Sequence, residues 1–279
     1  MAQETELLGL ESVLTKLRHA FALRDQFRDV LAELQSARRL RSRRDNCRDS
    51  SSRTAWVEWV LESESDYTEA SLLLGDVVHN LRAAMDYAVW AITPAEIQEQ
   101  RPTDVAFPLY STPKQFRDWV KKRVDWYGPT VFAVIEANQP FNTIGSGQLD
   151  PLHILQVLSN TDKHRLLNIV IQSQVDLGGV TVDPMPPGGF RSKVTSGPVS
   201  KGSVLARIEF ERPPGGKFSI DLRAPFGYEQ VLRYVDQDNV EHWLPIGDAM
   251  NSIGSQVRDA AGLVLSAHAK DSGEVDDNS

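Results

Sequence analysis

The chain has 279 residues, of which 41% are hydrophobic and 24% charged, which is ordinary for a globular protein with room for one large domain or slightly more. Its net charge of −8 argues against duplex DNA as a main ligand, because a basic face is the usual footprint of nucleic-acid binding. The single cysteine, Cys47, excludes an internal disulfide, while the acidic start and the lack of a long apolar stretch favour a cytoplasmic protein without a membrane segment.

An amphipathic helix is predicted over the first 46 residues. Apolar side chains recur there at spacings of three and four without an interrupting proline, among them Leu7, Leu10, Val13, Leu14, Leu17 and Phe21. Such a helix could bind a protein partner or form the arm of a homodimer. The Arg-rich stretch ARRLRSRRDNCR (37–48) is either its solvated last turns, where cations suit the helix dipole, or a phosphate-binding patch.

A strand is predicted over TAWVEWVLE (54–62), and the strongest predicted helix runs from about Tyr67 to Ile92. One arc of this helix is apolar and holds Leu74, Val77, Val78, Leu81, Met85, Ala88, Val89 and Ile92. The opposite arc holds Asp76, His79, Asn80, Ala83, Asp86, Tyr87 and Trp90. Because a fully solvated face rarely carries both Trp and Tyr, we expect this second arc to be partly covered.

The middle of the chain predicts short elements. VAFPLY (105–110) is a short strand or an extended segment, and helices are expected over 112–124, 128–140 and 151–162, each opening near a proline. FNTIGSGQLDP (141–151) is a loop, in which GSG is too weak to indicate phosphate binding, and RLLNIVIQSQV (165–175) is a strand.

The last third predicts antiparallel strands separated by Pro/Gly turns, over 179–184, 203–211 and 217–223. The segment 229–245 fits a helix or a strand ending near Asp236, and a final amphipathic helix ends by about His268. We expect an α+β fold in which long N-terminal helices pack on a mostly antiparallel sheet and a C-terminal helix closes one face. The predicted division is a mainly helical part (1–164), a β-rich part with the C-terminal helix (165–268) and a disordered acidic tail (269–279), although one integrated domain is also compatible with the sequence.

The polar arc of the long helix is the first candidate site. His79 and Asp86 are seven residues apart and project the same way, and Asp76 and Asn80 flank His79. Two interpretations stay open: a structural hydrogen-bond network between packed helices, or a binding or catalytic site.

The stretch SNTDKHRLL (159–167) is the second candidate site, at a predicted corner between a helix and a strand. Its Asp162, Lys163, His164 and Arg165 either complement the helix dipole or display reactive groups. If the corner packs against the long helix, five residues could converge: His79, Asp86, His153, Asp162 and His164. Such a set could bind a divalent metal or supply a general acid and base; the sequence specifies neither a metal nor a cofactor.

Two motifs carry a resemblance to a known family. LLLGDVVHNLRAAMDYAVW (72–90) and LSNTDKHRLLNIV (158–170), with AFPLY (106–110) between them, resemble a family of bacterial and bacteriophage hypothetical proteins that share an LLLGDxxHNLRxALD helix and an NxDKHR corner. The resemblance covers about residues 50 to 175, and it implies a shared fold unit without implying a reaction.

A further similarity lies within the long helix. Relatives carry an arginine and a histidine separated by four residues, similar to the R-x4-6-H motif of the HEPN superfamily of helical ribonucleases and nucleotide-binding proteins. The resemblance implies an arginine that stabilises phosphate and a histidine that shuttles a proton. Here the arginine is Arg82, but Tyr87 stands at the histidine position and Ala83 at a position that is normally polar. His79 would have to substitute from the other side of the arginine.

Two functional hypotheses follow. The first is a non-catalytic binding or interaction protein, since no strong catalytic motif is present. The second is a phosphoester-cleaving enzyme, such as a toxin or defence ribonuclease, with His164 as general acid or base oriented by Asp162. In the second hypothesis His79 and Asp86 belong to the catalytic set, and Arg82, Lys163 and Arg165 bind phosphate, with RNA as the candidate substrate.

Overall fold

A computed structural model describes residues 2–36, 53–63, 65–143, 150–175, 179–215, 218–222, 226–236 and 239–273. The Arg-rich stretch 37–48, the GSG at 145–147 and the acidic end of the chain beyond residue 273 lie outside these residues. Helices, antiparallel strand pairs and a C-terminal helix together confirm the predicted α+β class.

The described helices are α1 (Ala2–Ser36), α2 (Thr68–Ile92), α3 (Ala95–Gln100), α4 (Pro113–Lys121), α5 (Pro129–Ala137), α6 (Pro151–Asp162) and α7 (Ile246–Asp271). Short 3-10 turns follow α3 at Pro102–Asp104 and α5 at Pro140–Asn142. The strands are β1 (Thr54–Val60), β2 (Asn168–Val175), β3 (Val180–Asp183), β4 (Phe190–Val194), β5 (Gly197–Val199), β6 (Val204–Glu211), β7 (Ser219–Leu222), β8 (Phe226–Val235) and β9 (Glu241–Pro245).

The chain forms two compact units. The first contains Met1–Val30, Thr68–Leu167 and Tyr234–Ser279, and the second contains Leu31–Tyr67 and Asn168–Arg233. This arrangement differs from the predicted sequential division at residue 164, because α7 belongs with the helices that precede it by more than 80 residues. Its apolar face, with Ile253, Val257 and Val264 fully buried, packs against α2, α5 and α6.

The core of the first unit is built around α2. Every residue predicted for its apolar arc is buried, and this arc packs against α7 and α6. α1 adds Val13, Leu17 and Ala20 to the buried set, whereas Leu10 and Leu14 of the same predicted stripe are exposed. The apolar periodicity therefore identified the buried side of α2 correctly and that of α1 in part.

The second unit has a core between two sheets. β6 pairs with both β1 and β4, in the order β1-β6-β4, and β3 pairs with β7. In the β1–β6 register Val57 lies opposite Ile208, and both side chains are buried with Ala55, Trp59 and Phe210 in a cluster that also includes Val182 and Ile220 from the smaller sheet. In the same unit β2 lies between β5 and β8.

The ambiguous segment 229–245 is a β-hairpin, formed by the end of β8 and by β9. Asp236 closes its turn, since its backbone N–H donates to the carbonyl of Val240 and its carboxylate accepts from the N–H of Val240. Asn239 supplies the positive φ of 60° that such a turn needs. The other carboxylate oxygen of Asp236 lies 2.7 Å from Nε2 of His242.

Candidate functional site

The polar side of α2, opposite its apolar arc, packs in part against α1. A Cβ placed on Gly9 would lie 2.5 Å from the Cβ of Ala91, so glycine permits the close approach of the two helices. One flank of α1 also contacts α2 through Lys16, whose Nζ is 3.2 Å from Oδ1 of Asn80 and 5.5 Å from the centre of the Tyr87 ring. Asn80 is consequently buried, which explains how a polar residue sits inside the helical layer.

Arg82 and Asp86 hold the backbone of Phe107. The two side chains form an ion pair at 3.0 Å, one helical turn apart. Asp86 Oδ1 accepts a hydrogen bond of 2.9 Å from the Phe107 N–H, and the Arg82 guanidinium donates to the Phe107 carbonyl. Both backbone polar groups of one residue are thus satisfied by one i,i+4 pair on α2.

The rest of the segment 107–110 is held in the same manner. Gln139 donates to the carbonyl of Pro108 at 2.9 Å and accepts from the N–H of Tyr110 at 3.0 Å, while Gln156 donates to the carbonyl of Leu109 at 2.7 Å. Buried backbone groups must be paired, and this extended segment finds its partners in side chains where a strand would use a sheet. The alternative of a short strand over 105–110 is therefore wrong, and the extended alternative is right.

Burial raises the pKa of Asp86 above its ordinary value. Desolvation is the largest cause, and it is opposed by Arg82, by the hydrogen bond from Phe107, and by Lys163 and His79. The effect of Lys163 locates the corner at the end of α6 within electrostatic range of α2. Asp86 is thus easier to protonate than a free aspartate, although it keeps an arginine beside it.

Asp162 confirms that the corner meets α2. Its carboxylate lies against Gly75, the first residue of the GDVVHN segment, where any Cβ would overlap it, so a residue without a side chain is needed where α6 crosses α2. Burial and the nearby Asp76 raise the pKa of Asp162, and His79 opposes them. His79, Asp76, Asp162, Lys163 and Asp86 therefore form one electrostatic cluster.

His164 and Arg165 do not join this cluster. Their backbone N–H groups both donate to the carbonyl of Thr161, which closes the end of α6, and their side chains are exposed. Among the residues that the structure describes, the His164 ring has no hydrogen-bond or ion-pair partner, so no contact orients it through Asp162. His153 lies on α6, its buried Nδ1 has no hydrogen-bond partner among the described residues, and it does not contribute to the pKa shifts of Asp86 or Asp162.

The described residues do not form the divalent-metal site that the five predicted residues could have made. Within the described ranges, no group of three or more His, Cys, Asp or Glu side chains has a geometry that could hold a metal ion. The predicted convergence of five residues is thus reduced to His79, Asp86 and Asp162, and these three are spread along two turns of α2 and the end of α6.

An open cavity of about 480 Å³ lies beside the C-terminal half of α2, on its polar side. It is bounded by α1 on one side and by the α3 region on the other, with Gly9, Asp86, Tyr87, Trp90, Gln98 and Val105 in its lining. The sequence indicated Asp86, Tyr87 and Trp90 as members of one arc, but Gln98 and Gly9 carried no local signal, since they reach the cavity only through the packing of α1 and α3.

No family model, no curated protein and no solved structure matches this chain. None of the helices in the described part of the chain is both long and apolar enough to cross a membrane.

Proposed function

We propose that this protein is a non-catalytic, cytoplasmic binding protein, of the bacterial or bacteriophage origin that its motifs imply, and that its ligand occupies the cavity between α1 and the C-terminal half of α2. One observation carries the proposal: Arg82 and Asp86, the ion pair on α2, both bond to the backbone of Phe107. Both contacts of Arg82 use its Nη2, and Asp86 balances the charge of the guanidinium, so this pair holds the segment that contains Phe107.

The aromatic lining and the volume of the cavity also support a binding function. Tyr87 and Trp90 are 41% and 39% exposed, three residues apart on one helical face, and both line the cavity. Large aromatic side chains grouped at a concave surface are the usual lining of a small-ligand site, together with a few fixed polar groups. A volume of about 480 Å³ is within the common range of such sites.

The experiment compares the wild-type protein with Trp90→Leu in a thermal-unfolding screen against nucleosides, amino acids, alkylamines and short RNA. At least one compound class should raise the melting temperature of the wild type and leave that of Trp90→Leu unchanged, because a ligand that binds only the folded state stabilises it. Leu72→Ala, a change at an exposed residue near the far end of α2, is the control and should respond like the wild type. A screen in which no class distinguishes the wild type from Trp90→Leu would refute the proposal.

Phosphoester cleavage is the second candidate, and the cluster of half-buried Asp162 with exposed His79 and Lys163 favours it. In this version His79 or His164 transfers the proton and Lys163 and Arg165 hold the phosphate. RNA and nucleotides incubated with the wild type, with and without divalent metals, give the test. Turnover that disappears in the His79→Ala/His164→Ala double variant would establish this candidate, and its absence in the wild type is the result we expect.

A protein partner or a second copy of the chain is proposed to bind at α1, where Leu10 and Leu14 are exposed one turn apart. Sedimentation equilibrium of the wild type and of Leu10→Glu/Leu14→Glu tests self-association through this surface. A wild type that sediments as a monomer at every concentration would leave only a different protein as the partner.

A further inference from the structure

The polar atoms that the cavity offers to a ligand include two hydrogen-bond acceptors. Gln98 uses both hydrogens of its amide, since Nε2 donates to the carbonyls of Trp90 at 2.7 Å and Thr93 at 3.0 Å. Because both partners are carbonyls, the amide orientation is fixed and Oε1 is left as an acceptor. Asp86 uses Oδ1 for Phe107 and Arg82, and no group in the described part of the chain bonds to its Oδ2.

The aromatic side chains define the shape of the ligand. Tyr87 and Trp90 present ring surface to the cavity from adjacent positions on one face of α2. Flat rings stack on such side chains with little dependence on sequence or substituent, since each has a π face. A planar ligand can therefore stack on an aromatic wall while its edge reaches Asp86 or Gln98.

The charges around the cavity disfavour a cationic ligand. The ammonium of Lys16 already lies over the Tyr87 ring, 5.5 Å from its centre, and the Arg82 guanidinium is 3.0 Å from Asp86. A second cation would be placed near two positive groups and one carboxylate. A neutral ring with N–H donors satisfies the acceptors without this repulsion.

We propose that the cavity binds a planar heteroaromatic ring whose edge carries N–H donors, the chemistry of an amino-substituted purine or pyrimidine, with the donors on Asp86 Oδ2 and Gln98 Oε1 and the ring stacked on Trp90. This inference rests on the proposed binding function and specifies its ligand. Lys16, whose Nζ lies over the ring of the cavity residue Tyr87, is the cation on α1 that we expect to meet a phosphate attached to such a ring.

The test uses two nucleosides that differ by one amino group, 2-aminopurine riboside and purine riboside. Binding of the first is followed by quenching of its own fluorescence, and both are measured by calorimetry. The wild type should bind 2-aminopurine riboside at least about tenfold more tightly than purine riboside, because a site built to accept a hydrogen bond discriminates against a ligand that lacks the donor. Equal affinities would overturn the inference.

Two variants locate the site. Asp86→Asn keeps a carbonyl oxygen for the Phe107 N–H and turns a donor toward the cavity, so the affinity for 2-aminopurine riboside should fall by about tenfold or more. Trp90→Leu removes the stacking surface and leaves the contacts of the Phe107 backbone in place. Its affinity for 2-aminopurine riboside should also fall by about tenfold or more, which keeps the test valid if Asp86→Asn folds poorly. Leu72→Ala should bind as the wild type does.

Ethylguanidinium, as a cation of a different class, separates this inference from the proposed function. If ethylguanidinium binds in a Trp90-dependent manner and the nucleosides do not, the ligand class is wrong and the binding function stands. If neither probe binds and the thermal screen also shows no Trp90-dependent ligand, both fail together.

Discussion

The guanidinium of Arg82 contacts two groups at once, the Asp86 carboxylate and the carbonyl oxygen of Phe107. Asp86 in turn bonds to the N–H of the same Phe107. Each of the three residues thus contacts the other two, and we call this set of contacts among Arg82, Asp86 and Phe107 the Phe107 clasp. Its side chains are about one quarter exposed, so solvent weakens the ion pair less than it does at the surface.

The clasp predicts a measurable coupling between Arg82 and Asp86. Arg82→Ala should lower the free energy of unfolding by about 2 kcal/mol, because it removes a charge-assisted hydrogen bond and leaves a half-buried carboxylate with one fewer partner. Urea unfolding of the two single variants and the double variant gives the coupling energy. The exposed pair Arg101–Asp104, at 2.9 Å and with a similar helical spacing, is the control and should contribute at most about 1 kcal/mol. Equal costs for Arg82→Ala and Arg101→Ala would contradict a structural role for the clasp.

At the scale of elements, α7 provides the N-terminal cap of α5. Position Gly128 precedes α5 and has no capping side chain, but Asp271 accepts from the N–H groups of Thr130 at 3.2 Å and Val131 at 3.1 Å. Any Cβ at Gly128 would overlap the Asp271 carboxylate. Although desolvation raises the pKa of Asp271, the hydrogen bonds from Thr130 and Val131 and the nearby His268 outweigh it and lower that pKa.

This cap predicts a pH-dependent stability difference. Near neutral pH, Asp271→Ala should cost about 1 kcal/mol, which is typical for loss of a helix cap. A carboxyl whose folded-state pKa is lowered stabilises the fold above its unfolded pKa of about 3.9 and loses that contribution as the pH falls through the folded value. The difference between wild type and Asp271→Ala, measured by urea unfolding, should therefore shrink at acid pH. Asp259→Ala, at an exposed residue of the same helix, is the control and should show neither effect. A stability difference between the wild type and Asp271→Ala that persists unchanged at acid pH would argue against capping by the ionised carboxylate.

The elements that the sequence predicted share a clear local period. The alternation of β1 and the apolar arc of α2 each repeat within a few residues, and burial follows both patterns. The segment 229–245 was ambiguous because QVLRYV fits a buried strand or one side of a helix, and the pairing of β8 with β2 decides between them. The helix α3 was missed, since its six residues bury no side chain and so have no apolar period.

In the candidate site too, the sequence predicts what depends on a local period and does not predict what depends on long-range packing. The shared face of His79 and Asp86 follows from helical spacing alone, whereas the contact of Asp162 with Gly75 joins residues 87 positions apart and depends on the packing of α6 on α2. The partner of Arg82 and Asp86 was hidden for a related reason: it is a backbone group of Phe107, and backbone groups leave no trace in residue type.

At the scale of the whole molecule, the chain passes four times between its two units, and two of these passages lie within secondary-structure elements. One is at Val30 in α1 and the other is at Arg233 in β8. A sequence-based boundary depends on linkers and changes of composition, and neither exists inside a continuous helix or strand. The first unit contains three separated stretches of sequence, and the long-range packing of α7 on α2 joins two of them.

The charge of the whole chain and the shape of the cavity together predict which nucleic acids can compete for the site. A net charge of −8 gives little general attraction for phosphates, so binding must come from a base that enters the cavity. In a duplex, the Watson–Crick edge of each base is paired and its faces are stacked, so the base cannot enter the cavity, whereas a single strand can present a free base. A short guanine-containing RNA single strand should therefore displace 2-aminopurine riboside at about 0.15 M salt, and the same strand annealed to its complement should not. A duplex that displaces the probe as well as the single strand does would show that the phosphates, and not the bases, are recognised, and it would contradict the binding of a base in the cavity.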